Sequence, residues 1–249
     1  MLLIKKLRSS INKSIPSIGT WMQIPSSEIA EILSASLTYE WIVVDMEHGS
    51  FSRSQLPSIV RSITLNSVIP FVRLQSREIF SVKEVVDCGF LGYIVPMIET
   101  LKQLEDVSNA INYPPFGERG VGFSRSNQYG INFQNAIQEK IRPFLVAMIE
   151  TYTAVENLEE ILSYEYLDAI LIGPYDLSAS LGICGDFQSE IFISALNKIK
   201  NKCKKYNVPF GMHLVEPSKL KLKNLIDEGS TFIAYSMDSV MLTYFTPDL

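Results

Sequence analysis

The stretch FLVAMIETYTAVENLEEILSYEYLDAILIGPYDLSASLG, residues 144–182, decides the fold. It opens with an unbroken apolar run, FLVAMIE, at 144–150. A segment with helical spacing follows from 153 to 162, and then a second apolar run, AILIG, at 169–173. A strand that is apolar at every position is buried on both faces, as in a parallel sheet covered by helices. Parallel strands need a crossover, usually helical, so this stretch predicts a βαβ unit.

The same alternation extends in both directions. Upstream lie SIGTWMQI (17–24), WIVVDME (41–47), IPFVRLQ (69–75) and GYIVPMIE (92–99); downstream lie PFGMHLV (209–215) and FIAYSMD (232–238). Amphipathic segments separate them: from an N-cap at Ser26, over about 52–65, up to Val86, up to Ile111, over 191–206, and up to Glu228. That makes eight strands, seven full helices and a truncated last one. Eight βα units in about 250 residues favour a closed (β/α)8 TIM barrel over an open doubly wound sheet. No Gly-rich dinucleotide fingerprint follows the first strand, which weakens the Rossmann alternative. With no linker or low-complexity segment, residues 1–249 read as one domain. The truncated last helix leaves one flank of the barrel for a partner subunit to cover. The long connection YPPFGERGVGFSRSNQYG (113–130), with a short helix after it, is expected to cover a site.

Of the 249 residues, 47% are hydrophobic and 20% charged, the profile of a globular chain large enough to bury its own core. A net charge of −5 argues against nucleic-acid binding. Three cysteines, Cys88, Cys184 and Cys203, are an odd number without paired spacing, which argues against a disulfide framework and fits a reducing compartment. The N-terminus, MLLIKKLRSS, is too short in apolar residues for a leader, and no run approaches a membrane span. The expectation is a cytoplasmic protein with no membrane partner.

In a β/α barrel the reactive groups sit at the C-terminal ends of the strands. Asp45, Glu47 and His48 end the second strand, Arg73 the third and Glu150 the fifth, while the sixth runs into Gly173, Pro174, Tyr175, Asp176 and Leu177. Glu150 and Asp176 follow consecutive strands, which lie about 4.8 Å apart, so both carboxylates can reach one ion. Two carboxylates without Cys or paired His suit a hard cation, Mg²⁺ or Mn²⁺. The competing reading has Glu150 capping the next helix and Asp176 paired with a Lys or Arg. His48 can move protons near neutral pH, with Asp45 orienting its ring and Glu47 supporting the pair. Arg73 either donates to negative charge developing on a substrate oxygen or forms a salt bridge to a nearby carboxylate. The turn at Gly173–Pro174 offers backbone N–H groups to a substrate carboxylate. His213, within the seventh strand, is either a core histidine or a contact for the variable end of a substrate.

At these residues the chain resembles the HpcH/HpaI family of class II 2-keto-3-deoxy acid aldolases. GTWMQ, DMEHG, PFVRL, GYIVPMIET, YPPFGERGVG, IETYTAVEN and GPYDLSASLG carry the resemblance, in this order, from about Gly19 to Leu242. It implies a barrel whose last helices are exchanged between subunits, in hexamers built from dimers. It also implies a metal held by Glu150 and Asp176, and a pyruvate-like 2-oxo acid whose carboxylate rests on the backbone around Gly173, Pro174, Tyr175 and Leu177. His48 with Asp45 would then serve proton transfer, and Arg73 the enolate oxygen. Met148 stands where the family commonly carries Gln, and His213 where it tends to place an aliphatic residue facing the aldehyde. The alternatives are a related metal–enolate lyase or synthase acting on a thioester or another keto acid, and a non-catalytic carboxylate-binding barrel.

Overall fold

The structure is a computed structural model that describes residues 2–138 and 142–246. Eight parallel strands close into a barrel in sequence order. They are β1 (Ser17–Met22), β2 (Trp41–Asp45), β3 (Ile69–Arg73), β4 (Gly92–Val95), β5 (Phe144–Ile149), β6 (Ala169–Ile172), β7 (Phe210–Leu214) and β8 (Phe232–Met237). Each apolar run of the sequence holds one of them, and the strands stop one to four residues short of the C-terminal end of the run. The polar residues that end the runs therefore leave the ladder and stand at the rim.

The helices follow in turn: α1 (Leu2–Asn12), α2 (Ser27–Ala35), α3 (Leu56–Thr64), α4 (Ile79–Val85), α5 (Leu101–Ile111), α6 (Phe133–Gln138), α7 (Tyr152–Glu156), α8 (Leu158–Leu162), α9 (Pro174–Ser180), α10 (Glu190–Tyr206), α11 (Lys219–Asp227) and α12 (Asp238–Tyr244). Ser26 caps α2 as expected, its side chain accepting the Ile29 N–H at 3.1 Å. The single helix expected over 153–162 is broken at Asn157, whose side-chain amide donates to the Glu99 carbonyl at 2.9 Å.

Period-two alternation separates two cores. Trp41 and Val43 of β2, Phe71 of β3, Phe144, Val146 and Met148 of β5, and Ala169 and Leu171 of β6 fill the barrel. Ile42, Val44, Val72, Leu145, Ala147 and Ile170 face the helices. Lateral room for the large rings comes from small partners: a Cβ on Gly19 would lie 2.0 Å from the Trp41 ring. Continuing the inner rows toward the C-terminal ends reaches Asp45, Arg73, Glu150 and Gly173, so the alternation that packs the core also aims these groups inward.

The N-terminal helix α1 was not expected. Its buried Ile4, Leu7 and Ile11 join the inner cluster and close the N-terminal end of the barrel. Asp168 locks it there: Arg8 Nε donates to Oδ1 at 2.8 Å, Arg142 Nη1 to Oδ2 at 2.5 Å, and the Leu145 N–H to Oδ2 at 2.9 Å. The long connection at 113–130 also lies at this end. It follows α5 and precedes β5, Arg119 donates to the Val86 carbonyl and Asp87, and Phe116 packs edge-on against Tyr166. It does not cover the C-terminal rim, because a helix-to-strand connection returns the chain to the N-terminal ends of the strands.

The β7–β8 flank is thinly covered. The last three residues of β7 are only half-buried, and α11 contributes no buried residue. Leu220, Leu242 and Phe245 are exposed. Among the described residues no helix is long and apolar enough to cross a membrane.

Candidate active site at the C-terminal rim

Asp45 and Arg73 are register partners on β2 and β3. Their side chains meet inside the barrel as a bidentate pair: Arg73 Nε donates to Oδ1 at 2.8 Å and Nη2 to Oδ2 at 2.7 Å. Asp45 is fully buried and Arg73 nearly so. Burial disfavours the Asp45 carboxylate, but the Arg73 hydrogen bonds and charge, with help from Gln23 and the His48 N–H, outweigh it and hold Asp45 below the usual carboxylate range. Burial likewise works against the guanidinium, and Asp45, Glu47 and Glu150 together push it the other way, above its ordinary value. The salt-bridge reading of Arg73 is thus realised. It leaves a donor role open, because a guanidinium carries five N–H groups and Asp45 takes two.

Asp45 does not orient the His48 ring. Its Oδ1 accepts the backbone N–H groups of Glu47 and His48 at 3.1 and 3.2 Å, and Gln23 Nε2 donates to Oδ2 at 3.0 Å. The carboxylate is saturated by these donors and shapes the DMEHG turn instead. His48 projects from that turn, exposed, with no hydrogen bond to its imidazole among the described residues. Glu47 lies past the end of β2, so it does not share a strand face with Asp45, yet its Oε2 lies 2.9 Å from Arg73 Nη1. That oxygen is buried and makes no well-aligned hydrogen bond. Burial raises the Glu47 pKa, against the opposing pull of Arg73.

Glu150 follows the last residue of β5 and is 2% exposed. It does not cap the next helix; Thr151 does, accepting the Ala154 N–H at 3.1 Å. Glu150 instead accepts the Met97 N–H at 2.8 Å, and Met97 is held in a left-handed conformation with φ 54°. A Cβ on Gly173 would lie 2.7 Å from Glu150 Oε1, so only glycine lets the carboxylate lie over the end of β6. Burial pushes the Glu150 carboxyl up to about 7, Glu47 and Asp176 repel its charge, and the Met97 N–H and Arg73 oppose the rise. Asp176, exposed on the first turn of α9, has no Lys or Arg within ion-pair distance among the described residues. The structure therefore brings Glu47, Glu150 and Asp176 into one electrostatic group that Arg73 only partly neutralises.

Beyond β6, Gly173 is extended, Pro174 opens α9 and Tyr175 is half exposed. The buried Leu177 spends its N–H on the Gly173 carbonyl at 3.0 Å. Pro174 has no N–H, so the first-turn donors left for an anion are those of Tyr175 and Asp176.

His213 points into the barrel, stacked on Trp21 with ring centroids 4.8 Å apart. Its Nε2 lies 3.1 Å from the Ser236 carbonyl, which can only accept, so Nε2 carries the proton. Burial lowers its pKa to about 4 and keeps the ring neutral. Trp21 also carries the Arg73 guanidinium over its ring at 5.2 Å. Gln23, Trp21 and Asp238 are site residues that the sequence reading passed over. Gln23 and Asp238 carry the signal used for the others, a polar residue closing an apolar run.

Among the described residues no three His, Cys, Asp or Glu side chains form a metal cage. The donor set still fits a hard divalent cation: Glu150 and Asp176 offer carboxylate oxygens, and their mutual repulsion marks a place where positive charge is missing. Such ions bind through one or two carboxylates and complete their shell with water and substrate.

A closed parallel barrel with ionisable groups gathered at the C-terminal rim is the architecture of a β/α-barrel enzyme. Within that class the chain belongs to the HpcH/HpaI aldolase/citrate lyase family, whose model matches residues 17–243. It is 29% identical over 240 residues to a 4-hydroxy-2-oxovalerate aldolase of Novosphingobium aromaticivorans, covering 95% of this chain and 89% of that one. It is 30% identical over 243 residues to a hydroxypyruvate/pyruvate aldolase of Rhizorhabdus wittichii, covering 96% and 95%. A crystal structure of an HpcH/HpaI aldolase/citrate lyase family protein from Burkholderia cenocepacia superposes with a TM-score of 0.88 at 26% identity, covering 96% and 95%.

Proposed function

We propose that this protein is a divalent-metal-dependent class II aldolase that cleaves or forms a 4-hydroxy-2-oxo acid, using pyruvate or a similar 2-oxo acid and an aldehyde. The observation that carries the reading is the uncompensated acidic group at the rim, where buried Glu150 sits beside Glu47 and Asp176 with its pKa driven up to about 7. The aldolase names of the relatives agree with it. Glu150 and Asp176 would hold Mg²⁺ or Mn²⁺; when bound, the ion supplies a Lewis acid for the keto oxygen.

The chain's own groups divide the remaining work. The free N–H groups of Tyr175 and Asp176 hold the substrate carboxylate at the turn after Gly173 and Pro174, and the buried Leu177 anchors that turn. Arg73, fixed by Asp45 and Glu47, aims its remaining N–H groups at the oxygen where negative charge develops. In the cleavage direction His48 takes the proton of the 4-hydroxyl. The carbon–carbon bond breaks, its electron pair stays on the 2-oxo acid fragment as an enolate, and the aldehyde leaves. His48 then gives that proton to C3 of the enolate, releasing the 2-oxo acid; in condensation it takes the C3 proton and delivers it to the alkoxide oxygen that becomes the 4-hydroxyl. His213, beside Trp21, flanks the end of the pocket that receives the aldehyde. Three unpaired cysteines agree with a cytoplasmic setting. The thinly covered β7–β8 flank agrees with a homo-oligomer in which α12 meets a partner subunit, as in a hexamer built from dimers.

Condensation of pyruvate with a panel of aldehydes tests the reading. Turnover should vanish on chelation and return with Mg²⁺ or Mn²⁺; turnover that persists after chelation would overturn it.

A further inference from the structure

The C-terminal helix α12 reaches the catalytic arginine through an unbroken chain of hydrogen bonds. Asp238, at its first position, is 2% exposed. Its carboxylate accepts the Gln23 N–H at 2.9 and 3.1 Å, the Ile24 N–H at 2.9 Å and the Ser239 N–H at 2.8 Å. These bonds fix the backbone that leaves β1. The Ser239 hydroxyl then donates to Gln23 Oε1 at 3.3 Å. Asp45 Oδ2 can only accept, so it selects the orientation of the amide in which Nε2 donates to it at 3.0 Å and Oε1 is left to accept the Ser239 hydroxyl. The reverse orientation would set Oε1 against a carboxylate.

We propose that Gln23, set by Asp238 and Ser239 of α12, is a positioning residue that holds the Asp45–Arg73 pair in its productive plane. Asp45 Oδ2 has two donors, Arg73 Nη2 and Gln23 Nε2. Without the second, Oδ2 keeps Arg73 alone, and the carboxylate, still pinned at Oδ1 by the Glu47 and His48 N–H groups, can tilt about that pivot and carry the bidentate arginine with it. Trp21, near the end of β1 and two residues before Gln23, supports the guanidinium face at 5.2 Å. One strand end thus constrains Arg73 both from its face and through its counter-ion. The inference deepens the aldolase reading, since it assigns Arg73 the role given there.

Four substitutions and two readouts test it. In Gln23→Leu, kcat should fall roughly ten- to a hundredfold, the scale of a small misplacement of a reacting group, while KM for the 2-oxo acid moves about threefold or less. Ser239→Ala, which removes one hydroxyl, should give a smaller fall of the same kind. In an Arg73→Lys background, Gln23→Leu should cost little more, because both changes disable one device. The second readout needs no turnover: the Arg73 Nε–H resonance. Its exchange with solvent should quicken at least about tenfold in Gln23→Leu and Ser239→Ala at unchanged melting temperature. Asp238→Asn, which also threatens folding, is read only by this resonance and only if the melting temperature holds. An unperturbed Arg73 resonance, or independent effects of Gln23→Leu and Arg73→Lys on kcat, would overturn the relay. If the wild-type protein turns over no aldol substrate while the resonance responds, the relay stands and the aldolase reading falls.

Discussion

The two ends of the barrel handle buried charge in opposite ways. At the N-terminal end one carboxylate, Asp168, receives two arginines, Arg8 and Arg142, together with the Leu145 N–H. At the C-terminal rim one arginine, Arg73, serves Asp45 and Glu47 directly and is still not enough for Glu150 and Asp176. The N-terminal end is overfilled with positive charge and sealed by α1 and the ring cluster of Trp41, Phe71, Phe144 and Phe232. The rim is short of positive charge and open. A structural ion cluster tends to completion, whereas a site that takes up a cation and an anionic substrate is left incomplete in the chain itself.

The comparison breaks most sharply at Glu150. Glu150→Gln and Asp176→Asn should each lower turnover by at least about 10²–10³-fold, the scale of a lost electrostatic stabiliser. Neither should lower the metal-free melting temperature, because each removes a charge that its neighbours repel. Full activity in either variant, or a collapse of the fold, would show that the rim carboxylates are structural after all. His48→Ala extends the test to an exposed imidazole with no hydrogen bond among the described residues: a fall of about 10²–10⁴-fold in kcat is expected with metal affinity and stability retained. A rate equal to wild type would remove His48 from the chemistry.

Asp168→Ala probes the other end. It leaves Arg8 and Arg142 facing each other beneath β5 and β6, and loss of one partner from a largely buried cluster costs about 3 kcal/mol, the low end of the range for buried pairs because both guanidinium groups keep some solvent. For a chain of this size that is a fall of roughly 6–12 °C in melting temperature. At temperatures where the variant is folded, kcat should match wild type. A large fall in kcat with an unchanged melting temperature would erase the distinction between the ends.

The rim was more legible in the sequence than the seal. Asp45, Arg73 and Glu150 each close an apolar run, and a barrel places such residues at one end, so their gathering followed from period-two alternation alone. What they bond to did not follow. Asp45 has a histidine three residues away in sequence, but its side chain turns to Arg73 across the sheet and to Gln23 on the far side, and only the closed barrel brings those groups near. The helix α1 carried a readable signal, Ile4, Leu7 and Ile11 at helical spacing, obscured by a basic segment read for targeting rather than packing. A second basic run in α10 and α11, from Lys198 to Lys205 and from Lys219 to Lys223, was passed over as well. Four of its eight lysines, Lys198, Lys200, Lys205 and Lys221, are ion-paired with glutamates, which halves the positive charge left unpaired there.

His213 lies between the two regimes and supplies the smallest test. It is a neutral base in a charged neighbourhood, its pKa lowered from 6.5 to about 4 by burial, with Arg73 adding to the shift and Asp45 and the Ser236 carbonyl opposing it. The unfolded chain therefore binds a proton near pH 6.5 that the folded chain refuses until about pH 4. Stability from this residue is intact above pH 6.5 and is lost as pH falls through that window, with a slope approaching about 1.4 kcal/mol per pH unit in its middle. His213→Phe keeps a ring to stack on Trp21 and removes the titration, so the difference in stability between wild type and variant should shift in the variant's favour between pH 6.5 and 4. Parallel pH–stability curves would mean that the ring titrates normally and is reached by water, as exposed Asp176 is, and would move His213 from the packed interior to the open mouth.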